Sequence, residues 1–405
     1  MIDPVADAGK IGRPVLLTGV RPIGFTPGIP QAAVDILIGG NGRIESLGRG
    51  LPHSTDTEVI AGNGAYVSPG WCDLHVHVWH GGTDISIRPE QCGLKRGVVT
   101  LVDAGSAGEA NFAGFREFVI EPARERILAF LNIGSIGLVA CNRVSELIDV
   151  RSIDIDRTLA CIEANRDVIR GIKVRASHVI LGSWGITPVK IARKVARIAR
   201  LPLMVHVGEP PPMLDEIFEL LDPGDIVTHC FNGKAGGNIL DDEQIFALAE
   251  RCAGNGVVLD VGHGAASYAF RIAEVAISRG LMPRTISTDL HLRSLDRPVW
   301  DLATTMAKLM AAGMPFEEVV AGVTTRPMGV VGLPTDDLLA LDRRAELTVF
   351  DVVEADLGIA DSMGSARQLS RLIEPRWTIV GTAVVRASRH PTASSGRCPS
   401  CGAEG

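Results

Sequence analysis

The chain has 405 residues, of which 46% are hydrophobic, 21% charged and only 4% aromatic, and its formal net charge is −7. That length holds one barrel of about 250 residues together with a second, smaller unit, and the composition is that of a globular protein whose core is filled by Val, Ile, Leu and Ala. The negative balance, with no stretch that interleaves Lys and Arg with aromatics, excludes nucleic acid as the partner, and no basic leader or long apolar run points to secretion or a membrane.

From Arg13 to Val67, short apolar and polar alternations (VLLTGVRPIG, VDILIGGNGRIESLG, TEVIAGNGAYVSPG) are separated by turn residues and read as antiparallel strands. ELTVFDVVEAD around Val349 and TIVGTAVVRAS around Val380 have the same character, so residues 1–68 and 341–388 are expected to share one small β-sandwich.

Between them, apolar runs alternate with amphipathic stretches, the pattern of βα units around a buried parallel sheet. Eight runs stand out: Trp71 to His77, Val98 to Gly105, Ala129 to Gly137, Gly171 to Ser177, Pro202 to Glu209, Asp225 to Gly233, Val257 to Gly264 and Thr285 to His291. Eight parallel strands close into a (β/α)8 barrel, here over residues 69–340. VKIARKVARIAR and DEQIFALAERCAGNG space their apolar residues as helices do. The final stretch, RHPTASSGRCPSCGAEG, is rich in Gly, Ser and Pro, and residues 389–405 are expected to hang free.

Eight cysteines are scattered along the chain, several inside apolar runs, as suits buried thiols in a reducing cytoplasm. Cys398 and Cys401 form one CxxC, half of a tetrahedral zinc site even if His390 joins it, so two loose thiols are the simpler reading.

Polar side chains able to bind a metal interrupt the C-terminal ends of the apolar runs, where barrel enzymes place their active sites. His75 and His77 end the first run, Lys173 lies in the fourth, and His206, His229 and Asp289 close the fifth, sixth and eighth. Residues two apart on a strand face the same side, so His75 and His77 can present two imidazoles to one ion. Each residue alone has a plainer reading: a satisfied core histidine, a snorkelling lysine, or an Asp capping the next helix.

The marks PGWCDLHVH, GIKVRAS, VHVGE, VTHCFNG and STDLH, in that order at successive strand ends, resemble the amidohydrolase superfamily, most closely its binuclear dihydroorotase-like and deacetylase branch. The resemblance runs from about Tyr66 to Pro334. It implies that His75, His77 and Asp289 hold one metal and His206 and His229 a second, with Lys173 bridging them as an N-carboxylated side chain. Burial beside cations lowers a lysine's pKa and frees the neutral amine that takes up CO2. It further implies two divalent ions, Zn2+ by default, and a metal-bridging hydroxide that attacks a carbonyl while Asp289 moves the proton.

The substrate is expected to be a small anion. Arg175, two residues after Lys173, faces the same cavity and is suited to a carboxylate, although pairing with a barrel acid is equally open. His263 and His291 are candidates to line the pocket, and the glycine-rich GHG, GGTD and NGKAGGN read as flexible active-site loops. The resemblance implies either cyclic amides, as in dihydroorotase and hydantoinase, or acyl groups on small carboxylates, and GIKVRAS with STDLH looks more like the deacetylase branch that takes the latter. A catalytically silent barrel serving as an assembly partner is the remaining alternative, disfavoured because no ligand is missing. A cytoplasmic homo-oligomer completes the expectation.

Overall fold

Seven of the eight apolar runs form parallel strands, in a computed structural model that describes residues 12–25 and 32–391. They are β6 (Trp71–Val76), β7 (Val98–Ala104), β8 (Arg126–Asn132), β9 (Ile169–Ala176), β10 (Leu203–Val207), β11 (Ile226–Thr228) and β12 (Val258–Asp260), each beside its sequence neighbour. β6 and β7 are buried along their whole length because helices cover the outer face and side chains fill the inner one. Leu74, Val102, Leu128, Phe130, Met204, Ile226 and Val258 come from six of the seven strands to make one interior cluster, joined by Met328 and Val331.

The eighth run closes the ring without becoming a regular strand. Thr285 bridges to Asp260 on one side and Leu290 to Val76 on the other, both parallel. Asp289 sits between these bridges at φ +49°, a left-handed conformation that an extended strand cannot contain. Its amide still donates to the His75 carbonyl at 2.6 Å, and the His77 amide to that of Leu290 at 3.0 Å.

The helices follow the sequence pattern. Thr187–Ala199 turns Val189, Ala192, Val195, Ala196 and Ala199 inward at helical spacing, and Glu243–Gly254 starts at Asp242, whose carboxylate accepts from the amides of Gln244 and Ile245. Asp289 caps no helix; that role belongs to Asp301, which accepts from the Thr304 amide ahead of the helix Leu302–Ala311.

Both ends of the described chain meet in a mixed eight-stranded sheet. It is built from β1 (Val15–Pro22), β2 (Val34–Ile38), β3 (Ile44–Gly48), β4 (Glu58–Ala61), β5 (Tyr66–Pro69), β13 (Glu346–Ala360), β14 (Ala366–Val380) and β15 (Ala383–Arg386). β5 joins the halves, pairing with the end of β1 on one edge and with β13 on the other. TIVGTAVVRAS, which reads as one strand, divides at Gly381 (φ +58°) into β14 and β15. The 15-residue strands β13 and β14 form a hairpin whose turn, residues 361–365, reaches the barrel: the Asp361 carboxylate accepts from the Phe270 amide at 2.9 Å.

Cys398 and Cys401 lie outside the described residues, and with them most of the expected tail. The six cysteines within those residues are all unpaired. Among the described residues, no helix is long and apolar enough to cross a membrane.

Candidate metal centre

Four strands and the closing segment bring all six expected side chains to one end of the barrel. His75 and His77, from the end of β6, place Nε2 at 3.4 and 3.2 Å from Asp289 Oδ1, and these three groups are arranged so that they could hold an ion. On the opposite side of Asp289, His229 Nε2 lies 4.0 Å from Oδ2, and the His206 and His229 rings meet edge to face with centroids 4.3 Å apart. Lys173 is fully buried, with Nζ at 3.2 Å from His75 Nε2.

Three of the four rings are oriented from behind. His75 Nδ1 lies 3.0 Å from Thr228 Oγ1, which donates to Asp260; His77 Nδ1 lies 3.0 Å from Ser106 Oγ, which donates to Asp103. A hydroxyl that gives its proton to a carboxylate must accept from the imidazole, so both rings carry the proton on Nδ1 and turn a bare Nε2 lone pair inward. For His229 the partner is the Gly262 carbonyl at 2.6 Å, which can only accept, and the same tautomer follows. His229 Nε2 is buried and has no hydrogen-bond partner. An unpartnered buried acceptor is costly unless something else occupies its lone pair, and a divalent ion fits that need.

Electrostatics favour the same occupant. Burial holds the His75 and His206 imidazoles well below their ordinary pKa and pulls His229 down to about 3, so all three stay neutral. Burial brings the Lys173 amine down to about 7. Burial alone pushes the Asp289 carboxyl up, but His75, His291, His77 and His229 around it outweigh that and hold it well below the carboxylate range. His229 and Asp289 both have positive φ (77° and 49°), strained conformations that are retained where the surroundings over-determine them, as at functional sites.

No family model matches the chain. A deacetylase of Agrobacterium fabrum is 60% identical over 377 residues, 93% of each chain, and a deacetylase of Brucella anthropi is 57% identical over 383 residues, 95% of each. A solved structure described as a dihydroorotase superposes with a TM-score of 0.91 at 57% identity, over 94% of this chain and 100% of its own. One described as an adenine deaminase gives 0.83 at 33% identity, over 92% and 99%. The chain belongs to the amidohydrolase superfamily, on its deacetylase branch. It is a metal-dependent hydrolase.

The cleft of this amidohydrolase is a cavity of about 460 Å3 lined by His77, His206, Asp289, His291, Arg175 and Lys234, among others. His291 is fixed through Nδ1 to the Asp289 carbonyl at 2.6 Å and borders the cavity. Arg175 lines it too, yet Nε and Nη2 donate to the two oxygens of Glu146 at 2.7 and 2.5 Å, so the pairing with a protein acid is the observed one. The structure does not bring His263 to the cavity. Its ring is fully buried, with Nδ1 3.0 Å from the Gly264 carbonyl and Nε2 2.8 Å from Lys308 Nζ.

Several residues of the site escaped the sequence. Lys234 Nζ pairs with Glu209 at 2.8 Å at the cavity wall, and Ser177 donates to the other Glu209 oxygen at 2.6 Å. Glu146 is in an irregular segment with no periodicity to mark it, and Lys308 reads as the solvated face of an ordinary helix. The relay residues Thr228, Asp260, Ser106 and Asp103 did carry a signal: each is a polar residue within or just after an apolar strand.

Proposed function

We propose that this amidohydrolase removes an acetyl group, held as an amide or an ester, from a small carboxylate-bearing molecule. The reading rests on the buried, unpartnered His229 Nε2, which faces the same space as the lone pairs of His75 and His77 around Asp289. His75, His77 and Asp289 would hold one ion, His206 and His229 a second, and a carboxylated Lys173 would offer an oxygen to each. Imidazole and carboxylate donors suit Zn2+. Bound there, two divalent ions would acidify water and polarise a carbonyl.

The chain's own residues do the rest. Asp289, whose carboxyl lies well below the ordinary carboxylate range and is therefore ionised, accepts the proton released as water attacks and returns it to the leaving nitrogen or oxygen. His291, whose Nδ1–H donates to the Asp289 carbonyl, offers Nε2 as an acceptor to substrate. Glu146 engages two nitrogens of Arg175, and Nη1 has no protein partner among the described residues, so one donor remains for a substrate carboxylate, beside Lys234 on the same cavity wall.

The name carried by two relatives at 60% and 57% identity, deacetylase, supports this reading; the dihydroorotase described at 57% identity favours a cyclic amidase as the second. A hydrolysis screen separates them. Turnover of N-acetyl or O-acetyl carboxylates, with two divalent ions per chain, is expected; activity confined to dihydroorotate and hydantoins would reverse the assignment. Reconstitution of the metal-free protein should be faster with added bicarbonate, and Lys173→Met should lose that dependence together with at least one ion.

A further inference from the structure

The seventh strand ends in Gly262, His263 and Gly264, and this short loop touches both sides of the centre. A Cβ at Gly262 would stand 2.2 Å from Thr228 Oγ1 and 2.6 Å from His229 Nδ1; one at Gly264 would stand 2.4 Å from Asp289 Oδ2. Both glycines have left-handed φ, +49° and +52°. The loop's own backbone is therefore the wall against which His229 and Asp289 rest, and the Gly262 carbonyl selects the His229 tautomer. Any displacement of this loop displaces two proposed ligands.

The loop is in turn held from outside the barrel. Ser362, in the turn between β13 and β14, donates towards the carbonyls of His263 at 3.2 Å and Gly264 at 2.8 Å. The His263 ring is stacked on Tyr268 with centroids 4.7 Å apart. Lys308 Nζ reaches His263 Nε2 at 2.8 Å, the Pro298 carbonyl at 2.6 Å and the Ala360 carbonyl at 2.9 Å. An ammonium has three N–H donors, and these are three acceptors, one of them on the catalytic loop and one at the end of β13. A lysine with no exposed surface is expensive unless so matched.

We propose that Lys308 and Ser362 are positioning residues: through the His263 loop they let the hairpin of the terminal sheet set the placement of His229 and Asp289, and so the retention of metal. This rests on the reading of His229 and Asp289 as ligands. The second sheet thereby acquires a part in the chemistry, delivered through one buried lysine and one turn serine.

The test uses the metal-loaded, full-length enzyme and reads the rate at which metal passes to a colorimetric chelator, alongside the melting temperature. Ser362→Ala and Lys308→Met are each expected to speed metal loss about 10–100-fold, the range for groups that orient metal ligands. Arg116→Ala, which breaks the ion pair with Asp167 outside this network, is expected to lower the melting temperature while leaving that rate unchanged. Unchanged loss in Ser362→Ala, or equal acceleration in all three variants, would overturn the proposal. If Lys308→Met fails to fold, Ser362→Ala decides alone. A wild-type protein that retains no divalent ion overturns the reading of the ligands itself, an outcome distinct from ions held equally well by wild type and variants.

Discussion

Arg175 and Glu146 form a two-pronged ion pair at 2.7 and 2.5 Å, with the Glu146 side chain completely shielded from water. Burial pushes the Glu146 carboxyl up, but Arg175 more than offsets it and the net shift is downward. Removing one partner strands the other charge. Arg175→Met and Glu146→Leu are each expected to cost about 3–5 kcal/mol, and the double variant less than either, in denaturant unfolding. A surface pair such as Arg279–Glu243, screened by water, should cost far less by the same measurement. Additive losses at Arg175 and Glu146 would show that the pair is not a coupled unit.

Asp289→Asn keeps the shape of the side chain and removes its capacity to take a proton. Turnover should fall by about 10²- to 10⁴-fold while bound metal, measured by elemental analysis, stays near the wild-type level. Retained turnover would take the proton shuttle away from Asp289.

Thr228→Val deletes the hydroxyl that links His75 to Asp260 and frees the ring to rotate or change tautomer. Metal affinity should weaken about 10–100-fold in chelator competition, with the fold intact by circular dichroism.

Glu209 gives a pH signature away from the six proposed ligands. Burial alone raises its carboxyl, but hydrogen bonds from Lys234 and Ser177 prevail and bring it down to about 2 from an ordinary 4.5. A depressed acid contributes stability that is present above the unfolded pKa and is lost as pH falls through the folded one, here between about 4.5 and 2. Glu209→Gln should be less stable than wild type near neutrality and show a flatter stability curve in that window, the two proteins converging as the pH falls towards about 2, as read by thermal unfolding across pH.

The six residues around the centre were legible because each breaks an apolar run at a strand's end, where a polar group is too costly to be accidental. The number of strands was legible for the same reason, except that the eighth run cannot stay extended through the left-handed Asp289. What lay beyond the sequence depends on partners distant along the chain. Arg175 stayed open between a substrate carboxylate and a barrel acid because nothing marks Glu146 as its counter-charge. GHG reads as a flexible loop, yet its glycines are packed against Thr228, His229 and Asp289. Lys308, in LATTMAKLMA, gives no hint that its amine is buried against His263.

The closure of the terminal sheet sets an order of events during synthesis. Trp71 donates its amide to Thr348, 277 residues further on, and β5 pairs with β13, so the first strand of the barrel waits at the ribosome for a partner made after all the others. A nascent chain that has reached residue 340 already carries every proposed ligand but neither Ala360 nor Ser362. If Lys308 and Ser362 position the ligands as proposed, a chain lacking the hairpin would hold its metal poorly, and retention would begin only once residues 346–380 have been made.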